Sequence, residues 1–338
     1  MSDMRTQSSS EQGPTVSVCV TCYNQEAYIG QCLDGILAQK LDFPIEVLVG
    51  DDCSTDGSAE IVEGYCRRDS RIVLVERPAN LGFVANQRDL FQRARGEFVA
   101  LVEGDDYWVD PDKLTRQVAM MAPDPGVTLC FTAGVKVSEN AEQRLGVLRM
   151  GGPSRELGLG EVIRAVDGRV PTASMLMRRS ALMKLPAETY EQSPIDYALQ
   201  VLVGAQGRIW YDASVTSAYR VLSTGSWTEG MATDADKYLK HHESLRRYQR
   251  FLQGQLGPAH DRDLRRAFEP LFLGFYMSSR IRAADKRRNL ALDLPLLSRR
   301  GRTMANVLAR APVLVRAGAF ARRRIWRPFL RPLFARTG

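Results

Sequence analysis

The sequence predicts an α/β fold: a mostly parallel central sheet flanked by helices, with a C-terminal helical extension. Three observations predict it. From Val16 onward, short β-branched runs alternate with helix-length stretches, the signature of a parallel sheet covered on both faces. Helix starts are marked at Asp56-Gly57 and Asp110-Pro111, where a capping carboxylate or a proline suits a first turn. Polar clusters follow the apolar runs at Thr21–Gln25, Asp51–Asp56, Asn80–Gly82 and Glu103–Tyr107. In a parallel sheet these clusters share the carboxyl edge, where open α/β sheets bind ligands.

Taken in order, strands are expected at Val16–Cys22, Ile45–Gly50, Arg71–Glu76, Glu97–Glu103 and Val127–Thr132. Helices are expected near Gln25–Ala38, Gly57–Arg68, Val84–Ala94 and Pro111–Met121. Ser138–Gly168 is Gly-rich and weakly periodic, and reads as a loop, a short helix and variable connections. A strand-like run at Thr172–Met177 leads to a helix around Ser180–Leu185. Asp196–Ala205 reads as a helix, Arg208–Tyr211 and Val215–Tyr219 as two strands, and residues 235–293 as polar helices. Residues 1–13 are expected to be disordered, residues 14–234 to form the main domain, and residues 294–338 to form an Arg-rich tail.

The 338 residues, 44% hydrophobic and 25% charged, suit one large globular domain with an extension. No apolar run approaches the ~20 residues that span a bilayer, and residues 1–13 lack the apolar segment of a secretory signal. The expected location is therefore cytoplasmic. All six cysteines lie within the first 130 residues. Cys19 and Cys22 have a zinc-knuckle spacing without a second pair, and read as small hydrophobes of a strand. Reduced thiols are expected.

Glu103-Gly104-Asp105-Asp106 directly follows the apolar run Phe98–Val102. Three carboxylates crowded at the end of a buried strand raise one another's pKa, and a divalent cation relieves that repulsion. Oxygen ligands of this kind suit Mg²⁺ or Mn²⁺, bound through one or two carboxylates plus substrate phosphates. The ion would neutralise charge on a diphosphate leaving group. A solvated acidic turn capping the following helix is the competing reading.

With these motifs in place, the stretch from about Val16 to Trp227 resembles the family 2 glycosyltransferases, which have the GT-A nucleotide-diphospho-sugar transferase fold. The resemblance rests on Val16–Asn24 running into Gln25-Glu26, then Val49–Ser58, Asn80-Leu81-Gly82 with Asn86-Gln87-Arg88, and Gly96-Glu97-Phe98 leading into Glu103–Trp108, in that order. It implies that Thr21, Tyr23, Asp51 and Asp52 hold the base and ribose of a nucleotide diphosphate sugar, with Arg88 as a further donor contact or a helix-surface arginine. Asp56 alone reads as a turn and helix cap. Glu103 and Asp105 fall on the family's Asp-x-Asp motif, with Glu at the first position; Asp105 is the expected metal ligand and Asp106 a supporting neighbour. Asp196, in Pro194–Leu199, matches the acid that serves as base in inverting transfer, although a helix-start carboxylate is the plainer reading. Tyr219-Arg220, followed by Ser223, Ser226 and Trp227, resembles the family's closing segment, with Arg220 on the donor phosphates. His241, His242 and His260 read as solvated.

The net charge of +7 is lopsided. After Asp293 the chain has no acidic residue and eleven arginines, which leaves 35 basic against 39 acidic side chains before it. Arg299–Arg336 interleaves those arginines with Val307, Phe320, Trp326 and Phe334, a composition that suits an anionic membrane surface. Packing on the body, oligomerisation and nonspecific nucleic-acid binding are the alternatives, nucleic acid last. The expected activity is inverting transfer from a UDP- or dTDP-type sugar to a glycan or lipid-linked acceptor in envelope synthesis. A nucleotidyltransferase would need a Gly-rich basic loop where Thr21–Gln25 stands; a non-catalytic nucleotide-sugar-binding protein is the second alternative.

Overall fold

The computed structural model describes residues 13–166, 168–221, 235–278 and 281–310. Its sheet is built on β1 (Val16–Cys22), β2 (Ile45–Asp51), β3 (Ile72–Glu76), β4 (Phe98–Glu103), β5 (Tyr107–Trp108), β6 (Val127–Val137), β7 (Arg144–Leu148), β8 (Arg155–Leu157), β9 (Leu176–Arg178) and β10 (Arg208–Arg220). The order is β3-β2-β1-β4-β9-β6-β10-β5, with β7 added to β6 and β8 to β10. β1, β2, β3 and β4 pair in parallel, as do β6 and β10. β9 lies antiparallel between β4 and β6, so β6 and β10 run in the same direction as β4. Six strands therefore end on one edge.

Period-two alternation divides the core into two layers. Val99 and Leu101 of β4, with Leu48 and Leu129, face one layer, and Phe98, Ala100 and Val102, with Val47 and Val49, face the other. The second layer is covered by α1 (Ile29–Leu37), α2 (Ser58–Cys66) and α4 (Lys113–Met121), through Ile29, Leu33, Val62, Leu114 and Met121. The first is covered by α3 (Phe83–Arg93), through Leu90 and Phe91, and by α7 (Ile195–Gly204). Cys19 and Cys22 fall in opposite layers, and all six thiols are free. Two residues on opposite faces of a strand cannot chelate one ion.

Several sequence expectations change in detail. Arg208–Tyr211 and Val215–Tyr219 are one strand, β10, with register shifts between Asp212 and Ser217, because an irregular strand breaks alternation without ending. Thr172–Met177 is a 3₁₀ turn, Thr172–Ser174, followed by the short β9. The weakly patterned 138–168 stretch supplies β7, β8 and α5 (Leu159–Ile163), with α6 (Arg179–Leu182) after β9. Edge strands need little apolar periodicity, which is why the sequence hides them.

The C-terminal extension is α8 (Ala235–Leu256), α9 (Asp261–Met277), α10 (Ala283–Asp293) and α11 (Arg299–Arg310). It joins the layer behind α7: Tyr248 donates to the Pro194 carbonyl at 2.9 Å, and the Tyr197 ring meets Tyr248 and Phe268 at 5.8 and 6.1 Å. The expectation of three solvated histidines fails at His242. That side chain is buried, stacks on Phe275 at 3.7 Å, and pairs with Asp293 at 2.8 Å; a short apolar face in a polar helix concealed it. The expected Arg-rich tail also divides. Residues 299–310 form a helix packed through Gly301, Ala305 and Ala309, while 311–338 lie outside the described residues, as do 1–12 and Ser223, Ser226 and Trp227.

Candidate active site

The loops after β1 and β2 are fastened to each other. Asn24 Oδ1 accepts from the Thr55 amide at 2.8 Å, the Gln25 amide donates to Ser58 Oγ at 2.7 Å, and Glu26 Oε2 accepts from the Gly57 amide at 2.8 Å. Asp56 accepts from the amides of Ser58 and Glu26 at 3.0 and 3.1 Å, the turn-and-cap role its sequence suggests. On this wall Tyr23 is 47% exposed, with its ring open to a stacking partner. Thr21 is buried at the end of β1, opposite Gly50 and Glu103.

Asp51 and Asp52 divide their work. Asp51 accepts from Ser54 Oγ at 2.5 Å and from the Ser54 amide at 2.9 Å. Asp52 accepts from the amides of Leu81 and Gly82, each at 2.8 Å, and so anchors the Asn80–Gly82 turn. Both carboxylates are buried, and each shapes a loop of the edge. Arg88 is exposed on α3, with its guanidinium 5.0 Å from the Tyr190 ring centroid.

The acidic motif forms a tight turn from β4 into β5. The Asp106 amide donates to the Glu103 carbonyl at 2.9 Å, and the Gly104 amide to the Thr21 carbonyl at 2.9 Å. A Cβ at Gly104 would sit 3.1 Å from that carbonyl oxygen and closer still to Gln25 Oε1, so a side chain here would push the turn and Gln25 away from β1. Glu103 is half-buried, and its carboxyl is held well above the usual range, first by burial and then by Asp105, Asp106 and Asp196. Asp106 is 2% exposed; burial and Asp105 push it up as well. Its Oδ1 accepts the Arg220 amide at 2.9 Å, while Oδ2 is buried without a partner.

Asp196 opens α7 and is half-buried; Thr172 Oγ1 donates to its Oδ2 at 3.3 Å, and burial raises its pKa. Glu103 and Asp196 lie within electrostatic reach of each other. Tyr219, one residue before the end of β10, is pushed up by burial and then by Glu103, Asp106, Asp105 and Asp196 together. Glu103, Asp105, Asp106 and Asp196 thus all lie within electrostatic reach of the Tyr219 phenol. The sequence names Tyr219 only as the neighbour of Arg220 in the closing segment and gives it no role; alternation along β10 places it on the face opposite Arg220.

Arg220 lies where the sequence did not predict. It is 4% exposed, and its Nε, Nη1 and Nη2 donate to the Glu139 carbonyl, the Asp105 carbonyl and Gln31 Oε1. Here its fork is engaged by these protein oxygens, so that it braces the acidic turn from within. Its partners Tyr28 and Gln31, at the start of α1, and Glu139, after β6, were not legible, since both segments are distant in sequence.

Among the described residues no three His, Cys, Asp or Glu side chains converge as a metal cage. The donor set nevertheless fits a hard cation. Mg²⁺ and Mn²⁺ need only one or two carboxylates when substrate phosphates complete the shell. The mutually repelling acids and the orphaned Asp106 oxygen are what such an ion would relieve.

With the geometry described, comparison with known proteins places the chain. An uncharacterized protein of Mycobacterium tuberculosis (strain ATCC 25618 / H37Rv) is 33% identical over 225 residues, covering 66% of this chain and 63% of that protein. The matched stretch thus spans less than two thirds of that relative's length. The poly(ribitol-phosphate) beta-glucosyltransferase of Bacillus spizizenii is 35% identical over 96 residues, 27% of this chain and 15% of that one. S. aureus TarS 1–349, solved in complex with UDP-GlcNAc, superposes with a TM-score of 0.69 at 21% identity, covering 91% and 92% of the two chains, which establishes the shared fold. The family model for glycosyl transferase family 2 matches residues 17–185, the span that carries β1 to β9 and the whole acidic turn, and the chain belongs to that family.

Proposed function

We propose that the protein transfers a glycosyl group from a UDP- or dTDP-type sugar to a glycan or lipid-linked acceptor of the cell envelope, with inversion at the anomeric carbon. The observation that carries this reading is that Glu103, Asp105, Asp106 and Asp196 all act electrostatically on Tyr219, near the end of β10. The relation to a poly(ribitol-phosphate) beta-glucosyltransferase supports an envelope polymer as acceptor.

Asp196 is the base. Its carboxylate takes the proton of the acceptor hydroxyl as that oxygen attacks, and a pKa raised by burial moves it towards the working pH. Thr172 donates to one of its oxygens at 3.3 Å and so orients the carboxylate. Tyr23 stacks on the base of the donor, and Thr21, Asp51 and Asp52 shape the nucleotide end. Asp105 would hold Mg²⁺ or Mn²⁺, with Glu103 at the ribose or at a metal-bound water, and the ion when bound would neutralise charge on the departing nucleoside diphosphate. Tyr219 lies within electrostatic reach of both the acidic turn and the base.

The protein acts in the cytoplasm, at the inner face of the membrane. Among the described residues no helix is long and apolar enough to cross a membrane, and the excess of arginine after Asp293 provides the attraction to anionic lipid. The decisive experiment is a panel of nucleotide sugars with Mn²⁺, followed by identification of the released nucleotide. Nucleoside diphosphate is expected; pyrophosphate would indicate a nucleotidyltransferase instead. EDTA and Asp105→Ala should each lower the rate by about 10²-fold or more, and activity indifferent to both would remove the metal from the scheme.

A further inference from the structure

The acidic turn is fixed from behind by one guanidinium. The Arg220 amide holds Asp106 Oδ1 at 2.9 Å, and Nη1 holds the Asp105 carbonyl oxygen at 3.1 Å. The second bond fixes the peptide plane between Asp105 and Asp106, and the first holds the Asp106 side chain, so that both residues of the turn are tied to Arg220. Nε reaches the Glu139 carbonyl at 3.1 Å, and Nη2 reaches Gln31 Oε1 on α1. The guanidinium carbon sits 4.9 Å from the ring centroids of both Tyr28 and Tyr107. Tyr28 in turn donates from its hydroxyl to Glu139 Oε1 at 2.8 Å. Segments from α1, the β4–β5 turn, the β6–β7 turn and the end of β10 therefore meet on one planar group.

We propose that Arg220 is a positioning residue: it holds the Asp105–Asp106 turn in the geometry that donor transfer requires, and does not itself grip the donor. The proposal rests on the reading of this edge as the donor site. A planar fork that satisfies carbonyl oxygens in several directions and stacks on two rings is a task lysine cannot reproduce, because its ammonium is a point charge without the fork. Displacing a metal-binding carboxylate by a fraction of an ångström affects turnover more than nucleotide binding.

Arg220→Lys keeps the charge and removes the fork. The expected result in the ligand-free full chain is amide exchange across residues 103–108 faster by about tenfold, with the melting temperature nearly unchanged. With donor and Mn²⁺, kcat should fall by about 10- to 100-fold while donor KM stays within about threefold. A large rise in KM with kcat and exchange unchanged would assign Arg220 to donor binding and overturn the proposal; so would unchanged exchange with unchanged kcat. If Arg220→Lys does not fold, Gln31→Leu removes one arm of the brace from α1, and must show the same split on a smaller scale. A wild type without turnover on any nucleotide sugar would sink the functional reading alone; the exchange measurement would still decide whether the brace exists.

Discussion

The acidic edge and the C-terminal helices both bury carboxylates, and they treat them in opposite ways. Asp293, wholly buried, accepts from His242 at 2.8 Å, Arg246 at 2.9 Å and Tyr276 at 2.5 Å, and its pKa lies below the usual range because these partners outweigh burial. Glu103 and Asp106 are held above the usual range, with one another and Asp105 as neighbours and an Asp106 oxygen without a partner. A satisfied carboxylate reads as a fold determinant. A set that repels itself costs stability and persists where a ligand completes it.

The comparison breaks if stability and activity fail to separate along it. The largest effect on activity is expected at Asp196→Asn, where loss of the base should lower kcat by about 10²- to 10⁴-fold, with an unchanged or higher melting temperature. Asp293→Ala should do the reverse. It strands Arg246 in the bundle and should cost about 3–5 kcal/mol in denaturant titrations, with kcat per folded molecule preserved.

A smaller effect comes from pH, with opposite signs in the two regions. Glu103 has a raised pKa in the folded chain, so its proton-linked stabilisation is full below the unfolded carboxylate pKa and is lost as pH rises through the folded value. Asp293 is depressed, so its contribution is full above the unfolded pKa and is lost as pH falls through the folded one. His242 adds to the acid loss: burial lowers its pKa, so protonation of the unfolded chain begins below about 6.5. In EDTA, Glu103→Gln should therefore raise the melting temperature at pH 8, by about 2–4 °C per kcal/mol of strain relieved, and leave it unchanged near pH 4. The smallest effect on the body is expected from truncation after Arg310. Turnover on soluble acceptors should be unchanged, while sedimentation with anionic vesicles is lost; retained sedimentation would move the membrane contact elsewhere.

The parallel half of the sheet was legible because buried strands and cap signals are local: β1 and β2 and the expected strands agree to within a residue. The acidic turn was legible for the same reason. What escaped depends on contacts between distant segments. His242 is buried only because α9 and α10 close over α8, and Arg220 turns inward only because Tyr28 and Gln31 of the α1 start and Glu139 after β6 arrive from two other places. Periodicity in a single segment carries no record of such meetings.

The central claim is that a metal at Asp105 and a base at Asp196 face one donor. A crystal grown with UDP and Mn²⁺, examined by anomalous scattering at the manganese edge, tests it most directly. The account predicts a manganese peak at Asp105, bridged to the diphosphate, with the terminal phosphate pointing into the space that Asp196 and Tyr219 border. Manganese and diphosphate bound away from Asp105, or Asp196 walled off from them, would contradict it.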